Sequence, residues 1–340
     1  MPQDIVFPVP MPRRINPHYQ SCFEGTKQWL QEFGVTKDPK AVYRYAAVDT
    51  TYLAANWFPD VSAQNLRIIA DGIGLVVVMD DQFDGSWQEQ PGVISQLVTE
   101  LDAITTAPTT PSCPIAAAWS DLWSRMSAGT SSAWQARARD GWIGFYAAFQ
   151  DEEVYRSSRT VPEFDEFMKL RRYSGYMPAV IPLVERLDEY ELPARTLEMD
   201  PLRRMVDLVA DIIDTANDVH SLEKEEIRGD PQNMVMVIAQ RDGCSRDEAL
   251  RRTIKMINAW IREFCDAHYR IDGMCRRLQL SDRETNDVGR NVEGLRRLVR
   301  GYLDWGARTP RYLSAGIPPQ SQRAAEEDVV SPRQGPLLDH

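Results

Sequence analysis

Three aspartates, Asp80, Asp81 and Asp84, crowd the end of an apolar run in VVVMDDQFDG, residues 76–85. In a helix Asp80 and Asp84 stack one turn apart on one face, while Asp81 turns partly aside. Like charges so placed repel, and at a helix C-terminus they also oppose the dipole. A divalent cation reverses that balance. An all-oxygen ligand set suits magnesium, which keeps waters of its own and shares itself with substrate phosphates. Taken alone the motif is equally well a solvated acidic helix end. A second stretch breaks the tie: NDVHSLEKE, residues 217–225, sets Asn217, Ser221 and Glu225 at i, i+4 and i+8. An amide oxygen, a hydroxyl and a carboxylate then share one stripe, a mixed oxygen cage for a second hard cation. Asn and Ser are poor helix-interior residues, yet here they continue the apolar stripe of MVDLVADIIDTA, residues 205–216. A polar stripe that prolongs a buried one implies a cavity.

The elements that must carry these residues read as helix almost throughout. Apolar residues recur at helical spacing, and alternation bounded by hairpin turns is missing. The periodicity predicts helices over 41–57, 62–84, 91–104, 115–127, 132–155, 162–175, 178–189, 199–227, 232–242, 245–278 and 282–306. Capping boxes are expected at Thr160 with Glu163, Ser245 with Glu248 and Ser281 with Glu284, Pro162 falling in the first turn of the first of these. Long helices with short connectors describe an all-α bundle around a central cavity. Pro2, Pro8, Pro10, Pro12 and Pro17 make residues 1–22 an extended segment, able to close over the mouth of the cavity and exclude water. The stretch TTAPTTPSCP, residues 105–114, reads as a surface loop, and residues 316–340 as a disordered tail. Residues 23–315 are then one domain.

Composition narrows the function. The formal charge of −11 opposes binding to nucleic acid or an anionic membrane surface, so an anionic substrate must be met by local cations. No apolar run is long enough for membrane insertion, and the N-terminus lacks the order of a signal peptide, which predicts a soluble, cytoplasmic protein. Cys22, Cys113, Cys244, Cys265 and Cys275 have no zinc-ligand spacing and are expected to be free thiols. Gly175 marks a helix break, because Pro178 disfavours helical geometry at Met177 and leaves carbonyls free to face a cavity.

With the aspartate cluster and the Asn217, Ser221, Glu225 triad in place, the chain resembles the bacterial class I terpene cyclases, over about residues 1–315. The family's Asn/Asp-Asp, aliphatic, Ser/Thr, Glu pattern is met by Asn217, Asp218, Val219, Ser221 and Glu225. Its diphosphate-sensing arginine falls on Arg171, its linker and effector on Ser174 and Gly175, and its Arg-Tyr pair on Arg311 and Tyr312 of RTPRY. Physically, Arg171 and Arg311 are cations able to grip phosphate oxygens bidentately, Lys224 is a point charge, and Tyr312 a phenol donor. The resemblance implies three magnesium ions, held by Asp80, Asp84, Asn217, Ser221 and Glu225, a prenyl diphosphate substrate, and in many members a homodimer. It also implies that the prenyl diphosphate is ionised and its carbocation cyclised to a polycyclic terpene. The pocket residues expected from this reading are Val76, Val77, Phe83, Trp142, Phe145 and Trp305, aromatic faces being suited to a carbocation. Pentalenene-type members carry aromatic residues where this chain has Val76, Val77 and Val78. The extra room suits geranylgeranyl diphosphate, while the breadth of the family favours farnesyl diphosphate, the expected substrate. A prenyl-elongating synthase would carry a second aspartate-rich motif in place of NDVHSLEKE. A noncatalytic scaffold would lack ligand residues, and none is missing. A metal phosphohydrolase would want histidines, and only His18, His220, His268 and His340 exist.

Overall fold

The computed structural model describes residues 1–37, 39–83 and 91–312. Asp84, the side chain of Phe83 and the segment expected to be disordered, 316–340, lie outside the described residues. Among those described there are fifteen α-helices and no strand: α1 (Tyr19–Glu32), α2 (Pro39–Val48), α3 (Thr50–Trp57), α4 (Ala63–Phe83), α5 (Pro91–Thr106), α6 (Pro114–Ser127), α7 (Ser132–Ser158), α8 (Phe164–Ser174), α9 (Met177–Leu187), α10 (Ala194–Leu197), α11 (Leu202–Arg228), α12 (Met234–Asp242), α13 (Arg246–His268), α14 (Ile271–Arg277) and α15 (Asp282–Gly306). The expected all-α bundle is what forms. None of these helices is long and apolar enough to cross a membrane.

Helix α11 is the axis of the bundle. Its apolar stripe of Leu208, Val209, Ile212, Ile213, Ala216 and Val219 is buried, and it packs against α13 on one side and α15 on another. Around it, α15 rests on α3, α7 on α8 and α9, and α4 on α1, α3 and α6. Ser245 and Ser281 both cap their helices, each hydroxyl accepting from the backbone N–H three residues on at 3.3 Å, but the box closes only at Ser281, where Glu284 accepts from the Ser281 N–H at 2.8 Å, whereas Glu248 turns to Arg251 and Arg252.

Four features differ from the sequence reading, the first being a helix, α1, where none was expected. Helix α1 begins inside the stretch expected to be extended, because Asn16 ends that stretch by donating to the Phe58 and Val61 carbonyls at 2.8 and 2.9 Å. Its buried stripe, Cys22, Thr26, Trp29 and Leu30, is narrow. The helix expected over 41–57 breaks at Asp49, which adopts a left-handed φ of 50° and caps α3 by accepting from Tyr52 N–H at 3.1 Å. The one expected over 245–278 breaks at Tyr269 and Arg270, between α13 and α14. Finally, the Thr160 box does not form: Glu163 is the N-cap of α8, and Pro162 lies before the helix.

The N-terminal segment is tied down from the outset. Residues Pro2–Asp4 form a 3-10 turn against α11, His220 Nε2 lies 3.0 Å from the Ile5 carbonyl, and Phe7 packs edge-on to the His220 ring. No residue of it lines the cavity described below. All five cysteines are free thiols.

One polar knot locks α4 to its neighbours. Asp71, fully buried, accepts from Thr26 of α1 at 2.7 Å, from Arg67 at 3.1 Å and from Arg125 of α6 at 2.9 Å. Asp71→Ala leaves the partly buried Arg67 without its carboxylate and Arg125 with Asp121 alone, and is expected to cost about 3 kcal/mol. A urea titration checks it: the midpoint should fall with the slope unchanged, and an unchanged midpoint would remove the knot from the account.

Candidate active site

The site is built on the break between α8 and α9. Helix α8 ends when Gly175 N–H closes on the Arg171 carbonyl at 2.8 Å, and Tyr176 then takes a left-handed φ of 74°. The break therefore falls one residue before Met177, which is already helical, with Pro178 in the first turn of α9 where a missing N–H is harmless. Against this break lies Asp214 of α11. A Cβ on Gly175 would stand 2.1 Å from the Asp214 carboxyl, so the backbone of one helix end touches the side chain of the next with no room between.

From the last turn of α8, Arg171 reaches across to α11. Its Nε donates to Asp218 Oδ1 at 2.9 Å and its Nη2 to Asn217 Oδ1 at 2.9 Å, with Ser174 Oγ at 3.5 Å from Nη1. Burial disfavours the charged guanidinium, but Asp218, Asp214, Glu152 and Glu225 outweigh it and raise its pKa. The Asn217 amide in turn donates to Tyr312 Oη at 2.7 Å, and Tyr312 shares a 3.3 Å hydrogen bond with Tyr302 of α15. Next to Tyr312, Arg311 forms an ion pair with Asp80 at the end of α4. Two motifs separated by more than a hundred residues are thereby joined through the C-terminal Arg-Tyr pair.

Along α11, Ser221 Oγ donates to the Asn217 carbonyl at 2.8 Å, and Glu225 accepts from Asn233 at 2.7 Å. Burial, then the charges of Asp218 and Asp230, push the Glu225 carboxyl up to about 8. Burial likewise raises Glu152, on α7, to about 7 and Asp214 well above the ordinary carboxylate range. So many buried acids held partly neutral make a place that gains from added positive charge. Asn217, Ser221 and Glu225 on α11 and Asp80 on α4 all line one cavity and offer oxygen ligands, a set that fits a hard divalent cation.

The cavity has a volume of about 190 Å³ and two ends. Asp80, Arg171, Ser174, Gly175, Asn217, Ser221, Lys224, Glu225, Arg311 and Tyr312 line the polar end. Val76, Val77 and Phe145 line the apolar end. Two expected pocket residues do not. Trp142 is fully buried one layer back, its ring 5.1 Å from that of Tyr176, which takes the place at the wall. Trp305 donates to the Val48 carbonyl at 3.2 Å and packs edge-on to Tyr312, behind Tyr302 and Tyr312. Periodicity cannot distinguish the ring that faces a cavity from the ring that supports it.

Sequence reasoning also passed over Trp57, Tyr302, Glu152 and Arg228, all at the cavity wall. Arg228 had a signal, since it continues the 217, 221, 225 stripe by three residues. Trp57 and Tyr302 had none: both reach the wall because α3 packs on α15, where Trp57 Nε1 donates to the Leu298 carbonyl at 2.8 Å.

Residues 71–263 match the family model described as "Terpene synthase family 2, C-terminal metal binding". The chain is 31% identical to the pristinol synthase of Streptomyces pristinaespiralis over 315 residues, covering 91% of this chain and 85% of that one. It is 30% identical over 333 residues to a protein of Saccharothrix espanaensis named (-)-beta-caryophyllene synthase ((2E,6E)-farnesyl diphosphate cyclizing), covering 97% and 94%. Among solved structures, an a-eudesmol synthase superposes with a TM-score of 0.83 at 27% identity, over 89% of this chain and 99% of that one.

Proposed function

From the fact that this chain belongs to terpene synthase family 2, an enzyme family acting on prenyl diphosphates, we propose that it uses magnesium to ionise farnesyl diphosphate and cyclises the resulting carbocation to a polycyclic terpene, releasing diphosphate. The observation that carries this reading is the unbroken hydrogen-bonded chain Arg171–Asn217–Tyr312 at the polar end of a cavity whose other end is apolar.

Three magnesium ions, held by Asp80, Asp84, Asn217, Ser221 and Glu225, would supply the positive charge that stabilises the departing diphosphate. The chain's own groups do the rest. Arg171 aims a planar fork at the polar end, and Arg311, Lys224 and the Tyr312 phenol add donors for phosphate oxygens. Because Arg311 is paired with Asp80, substrate must part them, so a phosphate-gripping cation and a metal-binding carboxylate are released for their tasks together. Gly175 and Ser174 bring backbone to the cavity where a helix would otherwise close its carbonyls. Along the cavity wall Trp57, Phe145 and Tyr302 supply aromatic rings, which suit a carbocation.

The valines ahead of Asp80 left room for a longer chain in the sequence, but bulk arrives from other helices, as Trp57 and Phe145. That bulk favours the fifteen-carbon substrate over a longer one. The name of the Saccharothrix relative supports it too.

Purified protein incubated with Mg²⁺ and geranyl, farnesyl or geranylgeranyl diphosphate in separate tubes, with alkane extracts analysed by gas chromatography–mass spectrometry, tests the proposal. A cyclic fifteen-carbon product from farnesyl diphosphate is expected, and chelation of the metal should stop turnover. Faster formation of a cyclic twenty-carbon product would overturn the substrate, and turnover unaffected by chelation would overturn the metal.

A further inference from the structure

Behind the apolar end of the cavity, three buried polar atoms have no hydrogen-bond partner among the described residues: Trp142 Nε1, Tyr146 Oη and Tyr176 Oη. They belong to one cluster. The Trp142 ring lies 5.1 Å from that of Tyr176 and 5.9 Å from that of Tyr146. Trp142 and Tyr146 are fully buried and Tyr176 is 6% exposed, so bulk water does not serve them. Buried phenols and indoles nearly always find a partner, and three unserved in one cluster point to a small guest. The indole N–H only donates, so the guest must accept. The phenols donate and accept, and burial keeps both neutral by raising their pKa values. A cation cannot accept, and a lone anion would be buried without a countercharge. Water meets every demand.

The niche opens on the reacting space, because Tyr176 is itself a cavity-wall residue. On α4 it is faced by Gly72, where a Cβ would lie 3.2 Å from Tyr176 Oη, so that the hydroxyl would have to shift, and 3.4 Å from Trp142, an ordinary contact.

We propose that Trp142, Tyr146 and Tyr176 hold one water molecule at the inner wall of the cavity, and that this water ends the reaction by adding to the last carbocation, so that the product is a terpene alcohol. The proposal rests on the cyclase reading above. The water oxygen forms a C–O bond to the cationic carbon, and the proton lost from the resulting oxonium goes to the released diphosphate, the strongest base the reaction makes. Loss of a proton from carbon, the alternative ending, would give a hydrocarbon.

The full-length protein, Mg²⁺ and farnesyl diphosphate are incubated in water enriched in oxygen-18. Diphosphate release is followed in the same tube and the extract is analysed by mass spectrometry. An alcohol carrying the heavy oxygen at the enrichment of the solvent is expected. Tyr146→Phe, which removes one hydroxyl away from the cavity wall, and Gly72→Ala, which crowds Tyr176 Oη, should each lower the alcohol-to-hydrocarbon ratio by about tenfold, the effect of losing one buried hydrogen bond. Diphosphate release should stay close to wild type in both, since neither change touches the polar end. Diphosphate release accompanied only by hydrocarbon overturns the proposal and leaves the cyclase reading standing. So does an alcohol ratio unmoved in both variants. Absence of diphosphate release from the wild type overturns the cyclase reading and this proposal with it.

Discussion

Arg171→Lys is expected to lower kcat/KM for the prenyl diphosphate by about 10²–10³-fold while leaving a folded protein. The guanidinium spans four acceptors at once, Asp218, Asn217, Ser174 and the Asp214 carbonyl. An ammonium on a shorter, rotatable stem can keep charge near Asp218 but cannot hold the plane that aims at both Asn217 and the cavity. The loss should fall mainly on kcat, because the fork is asked to bind diphosphate more strongly as charge builds on it than in the ground state. Stability should fall by less than the kinetics suggest. Asp218 keeps its hydrogen bond from Met234 N–H at 2.9 Å and still faces a cation, so the variant leaves no buried charge wholly unpaired. Steady-state kinetics beside a urea titration separate the two effects. Wild-type kinetics in a stable variant would remove Arg171 from the site, and an unfolded variant would show that its role is structural.

The parts of this site legible in the sequence are those set by one helix. Asn217, Ser221 and Glu225 share a face because helix geometry alone places them there, and α11 forms as its apolar stripe requires. That Gly175 would interrupt a helix could be read from Pro178, although the left-handed residue is Tyr176 and Met177 is helical. What could not be read is whatever depends on how helices meet. Whether Trp142 or Tyr176 faces the cavity is decided by the rotation of α7 against α9, and whether Trp57 approaches Tyr302 by the packing of α3 on α15. The break at Asp49 was hidden for a different reason: aspartate is a plausible helix residue, and only its cap on Tyr52 and its 2.5 Å hydrogen bond from Tyr19 make the left-handed conformation worth holding. The Arg311–Asp80 pair is the clearest case: each residue stood out in its own segment, but that they pair with one another appears only when the turn at residues 310–312 meets the end of α4.

Gly175→Ala is expected to cost about 2–4 kcal/mol of stability and most of the activity, because the added methyl meets a carboxyl that has nowhere to go. The Gly175 φ of −75° is open to alanine, so backbone strain is not the cause. The obstacle is Asp214, whose three carboxyl-group atoms would lie 2.1–2.3 Å from the new Cβ while the side chain is 3% exposed. Relief requires either Asp214 to leave or α8 to draw back from α11, and drawing back would carry Arg171 away from Asn217 and Asp218. The two outcomes separate in a double-mutant cycle. Asp214→Ala should remove the clash, so that Gly175→Ala in that background costs far less stability than in the wild type, a coupling of about 1–3 kcal/mol in favour of the pair. Activity should recover with stability if the displacement of Arg171 was the damage. Additive losses of stability would mean that the close approach of Gly175 and Asp214 is not what requires a glycine there, and the helix break would then have to be explained from the backbone of residues 175–177 alone.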